Sequence, residues 1–160
     1  MFKITVIATG KLKEKFYLQA VEEYQKRLSA TCEFSLFELP EERLPEAPSP
    51  AQIQAALKKE AEAVRAKIPK GSYLVVCTPE GKLLSSEDLA DKLKDVKNMG
   101  KSSLCVLIGS SFGLDAELKQ QADFKLSFSK MTFPHHLFRV MLLEQLYRAE
   151  SIQAGSRYHK

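Results

Sequence analysis

With 160 residues, the chain has the length of one domain, 1–160, and can bury a core without disulfide or metal staples. Hydrophobic residues make up 44% and charged residues 28%, which excludes a disordered, collagenous or coiled-coil chain. The net charge of +4 permits a polyanionic partner without demanding one.

The predicted elements alternate. Phe2–Ala8 reads as a strand, with bulky residues at every second position. Glu14–Ala30 reads as a helix, with Tyr17, Val21, Tyr24 and Leu28 on one face. Glu33–Leu39 is a second strand. Residues 40–50 hold four of the seven prolines and read as an irregular loop. Ala51–Lys67 is an amphipathic helix, ended by Pro69 and Gly71. Tyr73–Thr78 is an unbroken apolar strand. Ser85-Ser86-Glu87-Asp88 caps a helix that runs to about Met99. Leu104–Ile108 is another apolar strand, Leu114–Gln121 a short helix and Phe124–Phe128 a short strand. Pro134 opens a last helix that runs to about Ile152.

This alternation predicts an α/β fold, a mainly parallel sheet with helices on its faces. The two apolar strands read as central, buried on both sides. Ligands of such sheets bind beyond the carboxyl ends of the strands, which here carry Thr78–Lys82 and Gly109–Gly113. Cys32, Cys77 and Cys105 are far apart, lie in apolar runs and lack metal-ligand spacing, so they read as buried free thiols in a reducing compartment. The apolar start is too short for a signal peptide, and no run spans a membrane. A cytoplasmic protein without metal or membrane partner is the expectation.

Several motifs compete. Gly100-Lys101-Ser102 ends like a phosphate-binding loop, but Asp95 stands where a glycine is needed and the triplet precedes its strand. Gly109 and Gly113 lack the spacing of a dinucleotide turn. Gly109-Ser110-Ser111-Phe112-Gly113 matches a nucleophile elbow, with Asp123 and then His135, His136 or His159 following in hydrolase order. A serine hydrolase built on Ser111 is therefore one reading, and a glycine-permitted turn is the other. The segment from Leu126 to His136 serves equally as the start of a helix or as a loop for a flat ligand of mixed polarity.

Charge gathers at the two ends. Residues 1–30 carry six basic and three acidic residues, while 131–160 hold Arg139, Arg148, Arg157 and Lys160 against Glu144 and Glu150. Arginine beside tyrosine and histidine is the mixture that grips phosphates and stacks on bases. A non-catalytic RNA-binding module is a further reading. The last helix is apolar around much of its circumference, which suits a face buried both on the sheet and on a second subunit.

The chain resembles the RlmH family of the SPOUT methyltransferase superfamily. The resemblance rests on Ile4–Lys11, Glu80-Gly81-Lys82 and Leu107–Leu114. Its most specific part is Leu126–His135, with Arg139, Glu144–Ala149 and Tyr158-His159-Lys160. It implies a SPOUT-type α/β fold whose C-terminal part forms a trefoil knot, and a homodimer. It implies S-adenosylmethionine as methyl donor, held by Cys77, Gly109, Phe128, Ser129, Lys130, Met131, Thr132 and Phe133. The acceptor it implies is N3 of a pseudouridine in large-subunit rRNA, on the assembled ribosome. His159, Tyr158 and Arg148 are then the expected catalytic residues, the terminal Tyr158-His159-Lys160 reaching the site across the dimer, with Arg139, Arg157 and Lys160 holding RNA. Two positions depart from the family pattern: Ser110 stands where a glycine is common and Cys77 where a larger aliphatic residue is common. Both are expected to meet the cofactor through backbone.

Overall fold

A computed structural model describes all residues, 1–160. Ten elements alternate along the chain: β1 (Lys3–Thr9), α1 (Lys15–Ser29), β2 (Glu33–Leu39), α2 (Pro50–Arg65), β3 (Tyr73–Leu83), α3 (Ser86–Asn98), β4 (Ser103–Ile108), α4 (Ala116–Gln121), β5 (Phe124–Ser127) and α5 (His135–Gln153). The strands form one sheet in the order β2-β1-β4-β3-β5, and every neighbouring pair is parallel.

Burial on both faces explains the apolar runs. All of β4 is buried, and its side chains alternate between two cores. Leu104, Val106 and Ile108 join Val21 and Leu28 of α1, Leu93 and Val96 of α3, and Leu142, Leu143 and Leu146 of α5. Cys105 and Leu107 point the other way, to Ala61 and Val64 of α2 and Leu118 of α4. Helix α5 packs on both α1 and α3, and no residue in it is fully exposed.

The helix starts follow their caps. Helix α2 begins at Pro50, one residue earlier than the spacing implies, because Ser49 and Gln52 form a reciprocal capping box. Ser85 and Asp88 do the same for α3. Helix α4 starts at Ala116 rather than Leu114, since Asp115 accepts from the Leu118 amide. Pro134 stands just outside α5, and Thr132 does not cap that helix.

Strand β3 differs most from expectation. It continues past Thr78 to Leu83, and Leu126 of β5 is partnered by both Cys77 and Lys82. The intervening residues bulge out of the ladder. Gly81 makes this possible: a Cβ there would lie 2.6 Å from the Leu126 carbonyl carbon. Proline and glycine, read as the end of the strand, instead shape a break within it.

The proline-rich stretch 40–49 has no regular structure but is anchored. The buried Glu60 carboxylate accepts from the Glu42 amide (2.9 Å) and from the Ser110 hydroxyl (2.9 Å). Burial pushes the Glu60 carboxyl above the usual range. No helix is long and apolar enough to cross a membrane. The three cysteines are free. Burial pushes their thiols up, to about 11 for Cys32 and about 12 for Cys77 and Cys105.

Candidate active site

The carboxyl ends of β4, β3 and β5 are adjacent, and the segments that follow them enclose a cavity of about 780 Å³. This lies within the range of small-molecule sites, about 300–1,000 Å³. All eight residues expected to hold a cofactor line it: Cys77, Gly109, and the run Phe128, Ser129, Lys130, Met131, Thr132 and Phe133. The sheet order brings together residues from three separated stretches of chain.

Two local structures shape the walls. After β4, Ser110 and Gly113 exchange backbone hydrogen bonds across a tight turn, with Gly113 at a φ of +91°. A side chain at Gly109 would collide with the Gly113 carbonyl. After β5, the Ser127 hydroxyl donates to the Ser129 carbonyl (3.2 Å), and the Ser129 hydroxyl accepts from the Met131 amide (2.9 Å). The Phe128 ring meets Phe138 of α5 edge-on, at 4.7 Å between centroids. These contacts fold the loop back over the cavity and leave Met131 76% exposed at its rim.

The cavity also carries a charge pair that sequence reasoning left without a role. Lys119 of α4 donates to Glu80 in the β3 bulge at 2.9 Å, and both line the wall. The Thr78 hydroxyl and the Lys119 ammonium hold the Glu80 carboxyl down to about 2. Glu80 stood out in the sequence only as part of a motif. Lys119 has no local signal, because the turn after β4 sets where α4 lies. His135 lines the same cavity, and burial with its neighbour His136 holds its imidazole below the usual value.

A second cavity, of about 550 Å³, adjoins the first. Leu126, Phe128, Ser129 and Phe133 line both. Its far side is made by Ser86 of α3 and by Met141, Glu144 and Gln145 of α5, with the Ser86 hydroxyl donating to Gln145 at 2.6 Å. Glu144 also ties in the closing residues of the chain through Arg148. Arg148 donates to Glu144 through Nε (2.7 Å) and Nη2 (2.6 Å). Its Nη1 lies 3.1 Å from His159 Nδ1, and the Tyr158 ring sits over its guanidinium at 4.7 Å. His159 Nε2 lies 2.7 Å from Glu87. Arg157 and Lys160 are exposed.

A family model described as "Predicted SPOUT methyltransferase" matches residues 2–159. The chain belongs to this SPOUT methyltransferase family. The ribosomal RNA large subunit methyltransferase H of Moorella thermoacetica is similar, at 44% identity over 160 residues that cover 100% of both chains. That of Clostridium novyi is 45% identical over 157 residues, covering 98% of this chain and 99% of its own. The solved structure of "a probable methylase family protein" from Haemophilus influenzae shares the fold. Its TM-score is 0.52 at 14% identity, covering 99% of this chain and 70% of that one.

Membership makes the protein a methyltransferase and removes the hydrolase reading. The geometry agrees. The Ser111 hydroxyl donates to Glu41 at 2.5 Å, while Asp123 accepts from the Leu74 amide at 2.8 Å and so fixes backbone. No serine–imidazole–carboxylate relay is assembled. One expectation for this SPOUT methyltransferase needs correction. Arg139 is buried, not offered to RNA: Nη1 donates to Glu38 (2.5 Å) and Nη2 to the Gly10 carbonyl (2.8 Å). Within the single chain, Tyr158 and His159 dock locally. They fold onto α5 and α3 of their own chain, where Tyr147 packs against Tyr158 and Glu87 partners His159.

Proposed function

We propose that this methyltransferase transfers a methyl group from S-adenosylmethionine to N3 of a pseudouridine in large-subunit rRNA, acting on the assembled ribosome in the cytoplasm. One observation carries the reading. The eight motif residues meet in one cavity, and a wall of four residues joins it to a second cavity lined by Glu144, the residue that Arg148 grips. The printed names of the full-length relatives support rRNA of the large subunit as substrate.

The larger cavity fits the methyl donor by size and by chemistry. Its phenylalanines and Met131 suit a flat adenine, backbone groups of the loop after β5 suit its edge, and the Lys119–Glu80 pair suits a zwitterionic amino-acid end. When bound, the donor supplies an electrophilic methyl group on its sulfonium. The chain's own residues do the rest. Phe128, Phe133 and Leu126 form an apolar wall that keeps water from the reacting centre. N3–H of the base is a weak acid whose proton passes to water as the methyl group leaves the sulfonium for N3; the negative charge that its departure leaves on the uracil oxygens is assigned to stabilisation by Arg148. Tyr158 stacks on the base, while the exposed Arg157 and Lys160 take RNA phosphates. Arg139 serves the scaffold beneath.

The reading includes a homodimer, with the half-exposed side of α5 covered by a second copy, and the knotted threading implied by the family resemblance. Labelled methyl transfer tests the core of it: incorporation into assembled ribosomes is expected to exceed that into free rRNA. No incorporation into either would overturn the proposal. Removal of residues 158–160 is expected to abolish transfer while calorimetry shows S-adenosylmethionine still bound.

A further inference from the structure

Glu60 of α2 is a buried carboxylate, 7% exposed, without a cation. Lys59 and Arg65 on the same helix pair elsewhere, with Glu42 and Asp115, both at 3.7 Å. Burial pushes the Glu60 carboxyl up, and the nearby Glu41 and Glu42 push it the same way. Burying a carboxylate without a cation costs stability. An apolar side chain of similar volume would avoid that cost, so the groups that Glu60 holds account for it better than packing does.

Its two oxygens take partners from two segments. Oε2 accepts from the Glu42 amide and Oε1 from the Ser110 hydroxyl, each at 2.9 Å. The first belongs to the proline-rich stretch, the second to the turn after β4. Beside them, Glu41 accepts from the Ser111 amide at 3.2 Å and from the Ser111 hydroxyl. The turn is thus tied at two consecutive residues, by a buried bond at Ser110 and exposed bonds at Ser111. Gly109 to Gly113 all line the larger cavity. Two glycines in five residues leave this backbone free to move. Within the turn, only the backbone bonds between Ser110 and Gly113 and a long contact from the Ser110 hydroxyl to the Gly113 carbonyl (3.5 Å) oppose that freedom.

We infer that Glu60 is a positioning residue for the methyl donor: from behind the cavity wall it grips the Ser110 hydroxyl and holds the Gly109–Gly113 turn in the shape that receives the donor. Glu60 does not line the cavity, so it acts through Ser110. A looser turn populates the receptive shape less often, and donor affinity falls by that fraction. The transfer step itself does not pass through Glu60, so the rate at saturating donor is spared. This rests on the methyl-transfer reading above and deepens it.

The test uses the full chain, S-adenosylmethionine calorimetry, methyl transfer to ribosomes, and amide hydrogen exchange at Ser110 and Gly113. Glu60→Ala and Ser110→Ala are each expected to raise the Kd and KM for S-adenosylmethionine about tenfold, the scale of one lost charge-assisted hydrogen bond, with kcat within about twofold. The double variant is expected to match Glu60→Ala, because both substitutions remove the same bond. Glu60→Gln stays within about threefold of the wild-type affinity, since its amide oxygen accepts from Glu42 and its amide nitrogen donates to Ser110. Ser110→Ala deletes a single hydroxyl, so it decides the matter if Glu60→Ala fails to fold. Wild-type donor affinity in Ser110→Ala, additive losses in the double variant, or a fall in kcat at unchanged donor affinity would each overturn the inference. Failure of the functional reading is separate. A wild-type protein that neither binds S-adenosylmethionine nor transfers methyl groups sinks that reading. Exchange in the turn, expected to quicken in Ser110→Ala, still decides whether Glu60 holds it, and unchanged exchange means that it does not.

Discussion

Helix α5 carries two arginines with opposite fates. Near its start, Arg139 is buried between the β1 and β2 ends, tied to Glu38 and to the Gly10 carbonyl. Near its end, Arg148 is partly exposed, shares a carboxylate with its own helix and touches the closing segment. Residue type and net charge are the same; surroundings divide them. Taking a guanidinium out of water is costly, and the Glu38 ion pair and the Gly10 bond commit the buried one to structure, although its Nε finds no partner. The partly exposed one holds Glu144, which lines the smaller cavity.

Substitution tests that division. Arg139→Ala leaves Glu38 without its partner and opens a gap under α5, so urea unfolding is expected to show a loss of about 3 kcal/mol, at the low end for a broken buried pair. A change within error would place Arg139 with the ligand-facing group. Arg148→Ala is expected to lower methyl transfer about 100-fold, the scale of a lost charge-stabilising donor, with Tm nearly unchanged. A large fall in Tm would merge the two arginines into one structural class.

The core beneath both ends is probed by pH. The thiols of Cys32, Cys77 and Cys105 titrate higher in the folded chain than in the unfolded one. Their contribution to stability is therefore complete below the unfolded thiol value and is lost as pH rises through about 11 to 12. At pH 8 they should resist alkylation until denaturant is added, Cys77 included although it lines the larger cavity. Rapid labelling of Cys77 in the native protein would mean that this wall opens. The smallest effect is expected at Ser111→Ala, which removes one exposed hydrogen bond to Glu41 and should leave methyl transfer within about twofold.

Much of this was legible before any coordinates. Unbroken apolar runs marked β3 and β4 as central because both of their faces are covered. The eight cavity residues were found through motif resemblance, and the sheet order explains why they meet. The burial of Arg139 has a signal in its position. It falls on the helical stripe of Leu142, Leu143, Leu146 and Glu150, all of them buried. The longer β3 was hidden because proline and glycine, which usually end strands, here form a bulge that β5 accommodates. The contact between Glu87 and His159 joins residues 72 apart in the chain, and no local pattern reports such a pair.

The short loop after β5 has a consequence of its own. Leu126, Phe128, Ser129 and Phe133 form a partition with a chamber on each side. A partition cannot move for one tenant alone. If an occupant of the larger chamber shifts it and tightens the smaller one, occupancy of the smaller chamber must tighten the larger by the same factor. In that case donor and acceptor would bind as partners in one equilibrium, and the order of their arrival would change the rate but not the final affinity.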